Sequence, residues 1–128
     1  MPARKEVYKC EICGNIVEIL EGAKGKLFCC GQEMKHMEAK STDWKTEKHV
    51  PIAEEYEGGT LVTVGSTLHP MTDEHYIMWI EIINGDYVNR KYLKPGDEPK
   101  AAFYVPMSGD LHIREYCNIH GLWENKPE

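Results

Sequence analysis

The sequence predicts an all-β protein in two pieces, a miniature domain held together by metal followed by an antiparallel β-sandwich. Three observations carry that expectation. No stretch sustains a helical period, turn signals recur every eight to twelve residues from Val50 onward, and four of the five cysteines crowd into the first 30 residues.

The first piece is residues 1–37. It holds Cys10, Cys13, Cys29 and Cys30, glycines at 14, 22, 25 and 31, and two short strand-like runs, Val7–Lys9 and Asn15–Leu20. A segment this short buries too little apolar surface to fold alone, and below roughly 40 residues metal or disulfides are usually needed. Residues 38–48 are polar and read as a linker, with an edge strand available to pack Trp44.

The second piece, residues 38–128, alternates strands and turns. Leu61–Val64 is a strand closed by Gly65, and Tyr76–Ile83 is a longer one ending at the turn signal Asn84-Gly85-Asp86. Tyr87–Leu93, the loop Lys94–Asp97, Ala101–Val105 and Leu111–Cys117 complete the series. The pattern is that of an immunoglobulin-like sandwich. Alternation assigns its core to Leu61, Val64, Ile77, Trp79, Ile80, Ile82, Phe103, Val105 and Ile113.

Composition removes several function classes. A formal net charge of −6 argues against a general nucleic-acid binder. No apolar run approaches the ~20 residues that span a bilayer. Met1–Glu6 is charged and leads straight into the first cysteine motif, without room for a signal peptide, so a cytoplasmic location is expected. In a reducing cytosol an odd set of five thiols is expected to serve metal or catalysis rather than structural disulfides.

The first candidate site is Cys10-x-x-Cys13 with the adjacent pair Cys29-Cys30. A Cys-x-x-Cys turn ending in Gly14 points two thiolates at one centre, with backbone amides free to bond the sulfurs. Adjacent cysteines cannot repeat that two-residue arc, so the expected tetrahedron is distorted. Spacing alone admits zinc and iron equally, with disulfides or unligated thiols a minor third.

The second candidate site is His49, His69, His75, Cys117 and His120, all in loops or at strand ends. Each histidine alone reads more readily as a polar loop residue. Together the set supplies four equatorial nitrogens and one axial sulfur, with a sixth position open. That suits ferrous iron and differs from structural zinc, which stops at four ligands. His36 and His112 fall outside the set and read as surface or interface residues.

Tyr8-Lys9-Cys10-x-x-Cys13-Gly14-Asn15 with Cys29-Cys30 resembles the desulforedoxin-like domain of desulfoferrodoxins. Glu47-Lys48-His49-Val50-Pro51, His69-Pro70-Met71, His75-Tyr76-Ile77-x-Trp79-Ile80 and Glu115-Tyr116-Cys117-Asn118-x-His120-Gly121 resemble the superoxide reductase site of that family. The resemblance spans essentially the whole chain. It implies two non-haem iron ions per chain, one in a four-Cys tetrahedron and one square pyramidal, with four His in the plane and Cys117 axial. It implies reduction of superoxide to hydrogen peroxide at the second iron, a rubredoxin-like electron donor and a homodimer. Lys48 would attract superoxide and help deliver protons, and Glu47 would fill the vacant position of the oxidised resting state.

Two readings of other classes compete. A metal-held electron carrier or binding module explains the four early cysteines but leaves the five-residue set idle. A cysteine hydrolase using Cys117 and one histidine leaves three histidines unused.

Overall fold

The computed structural model describes residues 2–41, 49–65 and 68–125, so Trp44, Glu47 and Lys48 lie outside the described residues. The chain divides into two compact units, Met1–Glu38 and Ala39–Glu128. Every regular element among the described residues is a β-strand, and no helix is long and apolar enough to cross a membrane.

The small unit is built on β1 (Val7–Lys9), flanked antiparallel by β2 (Ile16–Glu18) and β5 (Lys35–Met37). A two-stranded hairpin of β3 (Phe28–Cys29) and β4 (Gln32–Glu33) stands beside this sheet. Its turn residues, Cys30 and Gly31, have φ of 55° and 74°. Two successive positive φ angles define the tight hairpin turn whose twist matches the strands it joins. Among the described residues of this unit only Val7, Cys10 and Met34 are buried and apolar, too few for a free-standing core. His36, expected at a surface or interface, lies on β5, where it stacks on Tyr8 with ring centroids 5.0 Å apart.

The large unit is a sandwich of two antiparallel sheets. One contains β6 (Pro51–Tyr56), β7 (Gly59–Val64) and β10 (Lys100–Phe103), in the order β10-β7-β6. The other contains β8 (Ile77–Asn84), β9 (Tyr87–Tyr92), β11 (His112–Cys117) and β12 (Gly121–Asn125), in the order β12-β11-β8-β9. The core comprises Val62, Val64, Ile77, Ile80, Ile82, Leu93, Ala101, Val105, Leu111, Ile113 and Cys117.

Three core expectations are corrected. Leu61 is half-buried, because Thr60, Val62 and Val64 share the inward parity of β7. Thr60 keeps that position by donating its hydroxyl to the Val105 carbonyl at 2.6 Å. Phe103 is only partly buried against the core. Trp79 is buried but on the opposite face of its sheet, stacked on Tyr116. That outer face also buries Glu81, clamped by Arg90 at 2.8 Å and Arg114 at 2.5 Å. A carboxylate with no exposure persists because two guanidiniums satisfy both of its oxygens.

β12 was not expected, and the expected Asn15–Leu20 strand is shorter, ending at Glu18. His112, expected at the surface, is half-buried and sits 2.8 Å from the Glu124 carboxylate.

Candidate metal centres

The first cluster forms where β1 runs into a turn. Cys10 N–H donates to the Asn15 carbonyl at 2.9 Å, and Gly14 N–H donates back to the Cys10 carbonyl at 2.9 Å. The closed loop leaves Cys13 N–H facing the Cys10 sulfur at 3.5 Å. The other two thiols come from the β3–β4 hairpin. Adjacent residues on an extended strand point to opposite faces. The left-handed conformation of Cys30 breaks that alternation, and its sulfur lies 3.9 Å from that of Cys29.

All four sulfurs lie within 4.8 Å of one another, and none is in a disulfide. Cys13 Sγ and Cys29 Sγ are 3.6 Å apart. A tetrahedron with metal–sulfur bonds of about 2.3 Å has edges of about 3.8 Å, so this spacing fits one metal ion. Cys10 is held down to about 6 by amide N–H groups from Cys13 and Ile12, while thiol neighbours, Cys13 first, push Cys30 up to about 12. Cys10 is thus the sulfur most readily present as a thiolate.

The second cluster sits at one end of the sandwich. His49 precedes β6, His69 and His75 lie in the loop joining β7 to β8, and Cys117 and His120 flank the β11–β12 turn. Ring centroids run 4.7 Å from His49 to His69, 4.6 Å on to His75, 5.1 Å on to His120 and 4.7 Å back to His49. The cross pair His49–His75, at 6.3 Å, is the diagonal of this four-sided ring. Ligand atoms of His49, His69, His75 and Cys117 all fall within 4.8 Å of one another. His120 is not in that tightest group but adjoins it, with Nδ1 3.0 Å from His49 Nε2 and 3.8 Å from Cys117 Sγ.

Tautomer and charge suit metal binding. His69 is 3% exposed, and burial first of all lowers its pKa to about 4, so the ring is neutral. Its Nδ1 lies 2.7 Å from the Pro70 carbonyl, which can only accept, so the proton sits there and the Nε2 lone pair is free. That Nε2 is buried with no hydrogen-bond partner among the described residues. A buried nitrogen left so is costly unless a cation completes it. Cys117 is fully buried, which pushes its thiol up, while amide N–H groups from His120 and Ile119 pull the other way.

Three supporting residues were not singled out from sequence. Asn118 accepts from Tyr76 N–H at 2.9 Å and donates to the Glu74 carbonyl at 3.1 Å, tying the Cys117–His120 turn to the segment bearing His75. Trp123 stacks on His49 at 4.6 Å with planes 14° apart. Lys40, expected in a linker, forms a bridge to Trp123, lies 5.2 Å from its ring centroid and reaches the His120 carbonyl at 3.3 Å. The signal for Asn118 was its place inside the Cys117-x-x-His120 turn. Nothing in the sequence pointed to Lys40.

Two family models match successive parts of the chain. The Desulfoferrodoxin family model matches residues 41–126, and that of the desulfoferrodoxin N-terminal domain matches residues 2–37. A desulfoferrodoxin homolog from Archaeoglobus fulgidus is 57% identical over 120 residues, covering 94% of this chain and 95% of the relative. A desulfoferrodoxin from Syntrophotalea carbinolica is 48% identical over 126 residues, covering 98% and 99%. The crystal structure of the superoxide reductase from Treponema pallidum superimposes with a TM-score of 0.74 at 26% identity, covering 94% of this chain and 97% of that one.

Proposed function

This chain belongs to the desulfoferrodoxin family, and from that premise we propose that it is a superoxide reductase with two non-haem iron sites. The observation that carries the reading is the closed ring of four imidazoles beside one buried cysteine. A structural zinc site has no use for five ligands, and a Cys–His nucleophile pair has no use for three further histidines.

In this reading Cys10, Cys13, Cys29 and Cys30 hold one iron, and His49, His69, His75, His120 and Cys117 hold the other. Bound in the ferrous state, the second iron supplies the single electron that superoxide needs. Imidazole ligands carry no negative charge of their own, and at His69 the Pro70 carbonyl holds the proton on Nδ1, so a ferrous ion with one thiolate would keep a net positive charge that attracts an anion. Cys117 would hold that iron as a thiolate and supply it with electron density, and the amide N–H groups of His120 and Ile119 at its sulfur would temper that donation. His120 is exposed, so the ring opens to water on its side, and the two protons that complete hydrogen peroxide come from solvent. Lys48, next to His49 in sequence, would draw in the anion, and Glu47 would serve the oxidised resting form. A rubredoxin-like protein returns the electron. The protein works as a homodimer in the reducing cytoplasm, where its five cysteines stay out of disulfides and available to metal.

Metal analysis and product stoichiometry test this together. The expected result is two irons per chain, one hydrogen peroxide per superoxide consumed and no dioxygen. Dioxygen release at half that peroxide yield would make the protein a dismutase and overturn the reading. So would a chain whose second cluster takes up no iron.

A further inference from the structure

The four-stranded sheet carries a feature that superoxide reduction does not use. Tyr116 on β11 pairs with Trp79 on β8, and Trp79 pairs with Tyr92 on β9, so the three stand side by side on one cross-strand line. Tyr116 and Trp79 stack at 4.8 Å with planes 19° apart, and Trp79 meets Tyr92 edge-on at 6.4 Å. One end of the line, Tyr116, is joined to Cys117 by a single peptide bond. Exposure rises along it from 1% at Tyr116 through 9% at Trp79 to 71% at Tyr92.

Aromatic cross-strand pairs stabilise sheets, and phenylalanine would serve that purpose equally well. What these three share is that each can give up one electron and survive briefly as a radical, which phenylalanine cannot readily do. We propose that the line Tyr116–Trp79–Tyr92 carries oxidising equivalents from the Cys117 site to the surface and discharges them on Tyr92. The proposal rests on the reading of the site as an iron superoxide reductase, because that reaction releases hydrogen peroxide at a site whose metal is then returned to the ferrous state, where peroxide can meet it.

The step balances as follows. Hydrogen peroxide takes two electrons and two protons, its O–O bond breaks, and two waters form. One electron comes from the ferrous ion, which becomes ferric. The other comes from the Tyr92 phenol, relayed through Trp79 and Tyr116. Tyr92 releases its proton to water, the two protons consumed come from solvent, and a neutral tyrosyl radical remains. The end point is Tyr92 because an oxidised phenol must lose its proton, and Tyr92 alone of the three faces water. Trp79 Nε1–H has no hydrogen-bond partner among the described residues, so the indole has no base to hold the charge and passes it on. The benefit is that the ligands His49, His69, His75, His120 and Cys117 are spared oxidation.

The test uses the iron-loaded, reduced, full-length chain with one equivalent of hydrogen peroxide and no oxygen. Freeze-quench electron paramagnetic resonance, peptide mass mapping and dityrosine fluorescence read where the oxidation lands. The wild type is expected to give a tyrosyl radical, oxidised Tyr92 and dityrosine between molecules. Trp79→Phe should lose all three although Tyr92 is still present and exposed, and oxidation should move to the histidine ligands and Cys117. Tyr92→Phe, a surface change that leaves the fold intact, should lose the dityrosine and leave the radical on Trp79. Tyr92 oxidised to the same yield in Trp79→Phe would mean attack from solution and would overturn the proposal. The ferric visible band formed with superoxide is recorded on the same samples. Wild-type protein that forms the band but leaves Tyr92 intact overturns the aromatic line alone, and protein that does neither overturns the functional reading as well.

Discussion

The two metal clusters of this chain are made in opposite ways. In the small unit the ligands take the place of a core: among the described residues two buried apolar side chains, Val7 and Met34, accompany the four sulfurs. In the sandwich an eleven-residue core exists without the histidines of the site, which lie in the segments outside the strands. Only Cys117 belongs to both core and site. A metal that substitutes for a core must stay bound for the unit to remain folded. A metal seated on a finished scaffold is free to keep an open coordination position and change its oxidation state.

The largest expected consequence is in metal removal. Structural metal in a domain of this size contributes on the order of 10–16 kcal/mol of apparent binding energy, which is also its folding energy. Chelation should therefore melt the small unit while the sandwich stays folded. Amide hydrogen exchange should show protection lost across β1 and β2 and retained in β8 and β11. Parallel loss in both would erase the distinction.

Next in size is the axial thiolate. Cys117→Ser should stop turnover and remove the sulfur-to-iron band of the oxidised protein, even with iron still held by the histidines. Wild-type turnover by an iron-loaded variant would contradict the role given to Cys117.

The sandwich's independence from its metal also depends on the ion cluster on its outer face. Arg114→Met leaves Glu81 with Arg90 alone and should cost about 3 kcal/mol, the low end for breaking a buried pair. Urea titration of the sandwich signal measures it, and the visible bands of the four-sulfur site should not change. A loss below a few tenths of a kcal/mol would mean that Arg90 suffices.

The smallest effect concerns steering. Residues 39–128 carry nine Lys or Arg against fifteen Asp or Glu, a net of −6, so the large unit repels superoxide at long range. An ammonium ~6 Å from the anion contributes roughly 0.7 kcal/mol at the dielectric of water and about 2.8 kcal/mol at an effective 20. Lys48→Ile should thus slow the encounter by about threefold to a hundredfold and weaken its salt dependence, with the iron spectrum unchanged. Equal rates and equal salt responses would leave Lys48 an ordinary solvated lysine.

Most of this architecture could be read from the sequence because turns and ligand spacings are local signals. Asn84-Gly85-Asp86 marked the β8–β9 hairpin, with Gly85 at φ 61°. The Cys30-Gly31 turn went unread because the two cysteines drew attention as ligands, though an X-Gly pair with two positive φ angles is equally a hairpin signal. Leu61 and Trp79 were misplaced for a different reason. Hydrophobicity says that a residue is buried, whereas only register says on which face, and Trp79 packs beneath Tyr116 rather than between the sheets. At the second site the five ligand candidates could be picked out by residue type and position. Their closure into a ring could not, since His49 and His120 are 71 positions apart and meet only through the fold.

The central claim is that one site holds the structure and the other does the chemistry, and Cys13→Ser tests it most directly. Cys13 is an exposed ligand, so its loss opens the four-sulfur site without touching the sandwich. Pulse radiolysis of the iron-loaded variant should give a superoxide rate close to wild type while the tetrahedral-thiolate bands are gone. If the rate collapses in folded protein that retains the second iron, the first site is an obligatory relay and the division of labour argued here is wrong.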